Sequence, residues 1–157
     1  MRLRFLIALS LISTLAACSF AGTPGPAKNA IMVEHARAPE TPGASTVGAG
    51  YMTVHNLSAK PIALLSASSP IAEKVEFHSM TTDNGIMRMR PVTDPISIPA
   101  KGEVDFGPAG MHVMLLGLSK PLVANDKVPV TLTFEGNVSV NIELIVEARQ
   151  TGGAHHH

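Results

Sequence analysis

Between His78 and Met114 the sequence gathers two of its four non-terminal histidines and five of its eight methionines. They fall at alternate positions: His78-Ser79-Met80, Met87-Arg88-Met89 and His112-Val113-Met114, with Met111 just ahead of the last pair. In a β-strand, residues i and i+2 point to the same face. Each pair would then present two donors side by side. Thioether sulfur favours Cu(I), while neutral imidazole serves copper, zinc, nickel and iron alike. A site that mixes the two favours copper. The same methionines would also serve as ordinary core filler, because an unbranched thioether fits irregular gaps. Residue types alone leave Met80, Met87 and Met111 as rivals to Met89 for a sulfur position.

The order His78, ten residues, Met89, and then His112-Val113-Met114 resembles the signature of the periplasmic copper chaperones of the PCuAC type. In that family a His or Met is followed by ten residues, a Met, about twenty-one residues and His-x-Met, and this chain has twenty-two in the last interval. The extra residue fits a turn-rich stretch, Thr93-Asp94-Pro95 or Pro99-Ala100-Lys101-Gly102, where insertions are tolerated. The likeness runs from about residue 31 to residue 146 and includes the words Gly85-Ile86-Met87-Arg88-Met89-Arg90-Pro91 and His112-Val113-Met114-Leu115-Leu116-Gly117-Leu118. It implies an all-β, cupredoxin-like Greek-key sandwich or barrel. It also implies one Cu(I) held by His78, Met89, His112 and Met114, and a recipient, the binuclear copper centre in subunit II of a haem–copper oxidase. Within the resemblance Met89 leads Met87, since it alone sits ten residues beyond His78. Imidazole ligates in its neutral form, so binding should weaken as pH falls through the range of an unperturbed histidine, near about 6.5.

The elements that must position these donors read as strands. No segment sustains a helical apolar period, and short apolar or alternating runs are separated by Pro and Gly, the pattern of a β-sandwich or barrel. The expected strands are 31–38, 50–56, 62–68, 74–78, 86–91, 96–98, 103–106, 112–116, 128–134 and 138–147. In the last, Val138, Val140, Ile142, Leu144 and Val146 share one face. Glu135-Gly136-Asn137 ahead of it reads as a hairpin turn. Thr81-Thr82-Asp83-Asn84-Gly85 is the expected tip of a hairpin that brings His78 opposite Met87 or Met89. Gly107-Pro108-Ala109-Gly110 puts His112 at a strand entrance, where an exchangeable ligand belongs. His35 and His55 read as surface or strand-end histidines rather than ligands.

At the N-terminus, Arg2, Arg4 and the apolar run 5–15 form a targeting segment over residues 1–17. The run is shorter than the roughly 20 residues that cross a bilayer as a helix. Leu15-Ala16-Ala17-Cys18 resembles the lipobox of bacterial lipoproteins, with Cys18 the lipidated residue. Residues 18–29 then form a Gly/Pro-rich tether, 30–149 the single domain, and 150–157 a tail. The expected setting is the periplasmic side of a bacterial membrane, reached through the lipid. Cys18 is the only cysteine, so no thiol remains for a blue-copper centre or a Cys nucleophile. Thioethers suit an oxidising compartment, where thiols are drawn into disulfides, with sulfoxide formation as their liability.

The tail ends His155-His156-His157, which reads either as a secondary site for Cu(II) or Zn(II) or as a fragment of a purification tag. The chain has 157 residues, 45% hydrophobic and 15% charged, with zero formal net charge. That is enough for one domain and leaves little for a second. No basic patch invites nucleic acid, and no Gly-x-Ser-x-Gly elbow, P-loop or His-Glu-x-x-His points to an enzyme. The expectation is a monomeric copper chaperone. The alternatives are copper storage or detoxification without a specific acceptor, and a metal-free structural lipoprotein.

Overall fold

Alternation governs the central strand, Val47–Asn56: Gly48, Gly50, Met52, Val54 and Asn56 are buried, while the residues between them face outwards or lie half-covered. The two glycines bring this strand close to the core. A Cβ on Gly48 would stand 2.9 Å from Leu122 Cδ1, and one on Gly50 2.8 Å from Leu144 Cδ1.

The structure, a computed structural model, describes residues 28–149. The strands are β1 (Ile31–Pro39), β2 (Val47–Asn56), β3 (Ile62–Ser68), β4 (Ala72–Asp83), β5 (Ile86–Val92), β6 (Ile96–Ile98), β7 (Glu103–Phe106), β8 (Met111–Leu118), β9 (Lys127–Phe134) and β10 (Val138–Glu147). Each expected strand is present. The main difference is β4, which runs from Ala72 to Asp83 rather than over 74–78.

The strands lie in the order β5-β4-β8-β7-β2-β1-β10-β9-β3-β6, with a further pairing of β8 to β2. β2 changes partner along its length. Residues 47–50 pair with β8, and residues 52–55 with β7. Most pairs are antiparallel; β1 runs parallel to β10, and β7 meets β8 in parallel at Phe106 and Met111. Five of the nine neighbouring pairs in this order are not consecutive in sequence, the long-range connections of a Greek-key arrangement.

One apolar core gathers residues from across the sheet, among them Met52, Val54, Leu64, Phe106, Val113, Leu115, Leu132, Phe134 and Leu144. Phe77 and Phe106 pack there with ring centroids 5.5 Å apart at 44°, a tilted aromatic pair. The all-β single domain expected from the sequence is what the chain forms.

Candidate metal centre

β4, β5 and β8 lie side by side at one end of the sheet order, and their registers fix which side chains meet. Phe77 pairs with Val113, and both are buried in the core. By the two-residue period, Glu76, His78 and Met80 on β4, with His112 and Met114 on β8, occupy the opposite, outer face. Across β4 and β8, His78 is directly opposite His112 and Glu76 opposite Met114. Across β4 and β5, Met80 is opposite Met89.

The hairpin therefore has a different register from the expected one. His78 faces Pro91, and Met89 is its diagonal neighbour on the same face. The reason is the turn. β4 continues to Asp83 and β5 starts at Ile86, which leaves only Asn84 and Gly85 between them. Both have positive φ, 51° and 80°, as a type I′ hairpin turn requires.

A cleft of about 320 Å³ opens on this outer face, lined by Met80, Met89, His112 and Met114 together with Ala49, Tyr51, Pro108 and Arg149. Pro39, Glu40, Thr41 and Pro42 form its other wall. Hydrogen bonds pin that wall. The Glu40 amide donates to the Glu147 carbonyl at 2.9 Å, and the Thr41 amide to the Leu122 carbonyl at 3.0 Å. The Leu122 amide donates in return to Thr41 Oγ1 at 3.0 Å. His112 is only 3% exposed, although it lies on the outer face. Met89, on the edge strand β5, is 50% exposed. The donors thus run from a buried imidazole at the floor to an open thioether at the rim.

The two rings lie with centroids 6.1 Å apart at 52°. Each commits one nitrogen to the protein. His78 Nε2 is 2.7 Å from Glu76 Oε2, and His112 Nδ1 is 3.2 Å from the Gly110 carbonyl. The other nitrogens, His78 Nδ1 and His112 Nε2, are buried and have no hydrogen-bond partner. Buried polar atoms are nearly always partnered, and leaving one unpaired costs about 1–3 kcal/mol. Two such atoms on the face that carries three thioethers suit a borderline or soft cation; of the two rings, His112 lines the cleft and His78 does not. Among the described residues no group of three or more His, Cys, Asp or Glu side chains could hold a metal, so a centre here draws on methionine sulfur. Hydrogen bonds from His78 and then Lys74 hold the Glu76 carboxyl below its ordinary value, which keeps it an anion beside the ring.

The remaining candidates lie elsewhere. Met111 is opposite Ser79, on the inner face, and packs against the core. Alternation with His112 puts it there, away from the cleft. Met87 pairs with Thr82, is 60% exposed and does not line the cleft. Met80 does line it, which makes Met80 the nearer rival to Met89. Cys18 and His155, His156 and His157 lie outside the described residues. His55 lies between Glu34 and Glu103, each 3.0 Å from a ring nitrogen, although its Nε2 makes no hydrogen bond, and His35 sits exposed at an irregularity of β1 with φ 52°. The sequence reading missed Glu76, the Gly110 carbonyl and the 39–42 wall. Only Glu76 carried a local signal, its place two residues before His78.

Comparison with known proteins agrees with this architecture. The family model described as "Putative lipoprotein LpqE-like" matches residues 31–146. The "Putative lipoprotein Lxx21020" of Leifsonia xyli subsp. xyli is 33% identical over 120 residues, covering 76% of this chain and 71% of that protein. The Rickettsia prowazekii protein RP573 is 31% identical over 96 residues, 60% of this chain and 53% of the relative, so the chain spans about half of that protein. Among solved structures, the copper-bound PCuAC domain from PmoF2 superposes with a TM-score of 0.63 at 28% identity, covering 76% of this chain and 94% of the domain. Apo-DR1885 from Deinococcus radiodurans gives 0.60 at 27%, covering 94% and 97%. Its Cu(I) form gives 0.55 at 33%, covering 73% and 78%. The fold is the cupredoxin-like β-barrel of these PCuAC domains.

Proposed function

We propose that this chain, which belongs to the LpqE-like family and whose domain is of the PCuAC type, is a copper carrier that binds one Cu(I) through His78, Met89, His112 and Met114. The observation that supports this most directly is the pair of buried, unpartnered imidazole nitrogens on the face that also carries the thioethers. Neutral nitrogen and thioether donors match Cu(I) without adding charge. The copper-bound PmoF2 domain and the Cu(I) form of DR1885 are solved relatives that carry the metal. Met80 stands as the alternative to Met89, since it borders the same cleft.

The gradient of exposure suits carriage rather than catalysis. His112 grips from the floor, while Met89 at the rim is the ligand an acceptor's own donors can displace first. Copper then leaves by stepwise ligand exchange and is never free. The four donors make a single site for one ion, which favours transfer over storage. The acceptor in this reading is subunit II of a haem–copper oxidase, and the carrier is tethered on the periplasmic side of the membrane through lipidated Cys18. The terminal His155, His156 and His157 form a secondary Cu(II) site. Arg149, the last described residue, lines the cleft.

The test is a Cu(I) titration of residues 19–153 against a chromophoric chelator under reductant, repeated on Met89→Ala and His112→Ala. One tight equivalent, lost in both variants, is expected. No competitive binding by the parent would leave a metal-free structural lipoprotein. Gene deletion separates carriage from storage: a chaperone gives an oxidase defect repaired by added copper, and a buffer gives copper sensitivity.

A further inference from the structure

We infer that Glu76 is a positioning residue that fixes His78 as its Nε2–H tautomer, so that Nδ1 is the atom His78 offers to the metal. The purpose of this device rests on the copper reading; its geometry does not. Lys74, Glu76 and His78 occupy successive outward positions on β4. Lys74 Nζ is 2.6 Å from Glu76 Oε1, and Glu76 Oε2 is 2.7 Å from His78 Nε2.

A carboxylate only accepts hydrogen bonds, and a neutral imidazole carries a single N–H. The nitrogen that meets Glu76 must therefore hold the proton, which leaves a lone pair on Nδ1, buried and without a partner. His112 is set the other way round. Its Nδ1 faces the Gly110 carbonyl, also a pure acceptor, so Nε2 keeps the lone pair. The Gly110 carbonyl is itself held in place by the Met80 amide, which donates to it at 3.0 Å. The two histidines thus present different ring atoms towards the same face.

The partner on the far nitrogen decides which nitrogen of a ligating histidine is available, and it also holds the ring plane. Lys74 engages the other oxygen of Glu76, so that both carboxylate oxygens have a partner on β4.

The experiment is a nitrogen-15 long-range correlation spectrum of the metal-free mature chain, at a pH where the rings are neutral, for the parent, Glu76→Ala and Glu76→Gln. The parent should show His78 protonated at Nε2 and His112 protonated at Nδ1. In Glu76→Ala the His78 nitrogens should move towards averaged shifts, while the His112 pattern persists and reports an intact fold. Glu76→Gln, whose side-chain carbonyl can accept the same N–H, should restore the parent pattern. Cu(I) affinity by chelator competition should fall about 10–100-fold in Glu76→Ala, the usual cost of losing an outer partner, and recover in Glu76→Gln. Protonation of His78 at Nδ1 in the parent overturns the inference, and so do His78 shifts that stay unchanged in Glu76→Ala. If the shifts move as expected but the parent binds no Cu(I), positioning by Glu76 stands and the copper reading falls.

Discussion

Met80 and Met89 face each other as a register pair across β4 and β5, and both line the cleft that His112 and Met114 enter. In the proposed four-donor site these two thioethers would compete for one place, and either would take it when the other is lost. Met89→Leu and Met80→Leu should each weaken Cu(I) binding by about tenfold or less, roughly 1.4 kcal/mol. The double variant should lose more than the product of the two, a coupling that a double-mutant cycle reads directly. Strict additivity in competition titrations would show that only one of them is a ligand.

Oxidation distinguishes Met89 from Met87. Both are exposed on β5, at 50% and 60%, and an accessible thioether is readily converted to the sulfoxide. In metal-free protein, peroxide should attack both at similar rates. If Cu(I) binds as proposed, it occupies the Met89 sulfur, and peptide mass spectrometry of the loaded protein should find Met89 and Met114 protected and Met87 oxidised as before. Equal protection of Met87 would bring it into the site.

Adjacent residues of β8 should give opposite phenotypes. Leu115 is fully buried in the core, and Met114 lines the cleft. Leu115→Ala should cost about 2–5 kcal/mol of stability and leave Cu(I) affinity within about threefold, well under the 1.4 kcal/mol that marks a decade. Met114→Ala should reverse the pattern. Urea unfolding and chelator competition on the two variants measure both quantities.

Acid should abolish what Glu76 contributes to stability. Hydrogen bonds from His78 and Lys74 lower its carboxyl in the folded state, so the native protein binds fewer protons there than the unfolded chain does. The contribution is complete above the ordinary glutamate value. It declines as pH drops below that value and is gone once pH passes the lowered folded one. Unfolding midpoints of the parent and Glu76→Gln should converge across the carboxylate range. A gap that widened there would reverse the sign.

Strand positions were legible because period-two alternation and Gly/Pro punctuation are local. The last strand shows it, with Leu144 and Val146 buried and Glu143, Ile145 and Glu147 exposed. Register was not legible. It depends on which residues form the turn, and placing the tip over Thr81 to Gly85 shortened β4 and set His78 against the wrong partner. The two-residue Asn84-Gly85 turn moves Met89 opposite Met80. The four proposed ligand positions rest on a family pattern, since composition treats all five methionines between His78 and Met114 alike. Alternation with His112 could have assigned Met111 to the core. The 39–42 wall and Arg149 reach the cleft from distant parts of the chain, where no local signal exists.

β8 is stitched into the domain by Val113 and Leu115 on one side, while His112 and Met114 work on the other. Cohesion and cargo are therefore independent accounts of the same strand. A courier spends part of every trip unloaded, and this division lets it survive the return journey in its delivery shape. It also gives descent a free hand: the outer row can drift towards a different ion while the inner row goes on holding the barrel closed.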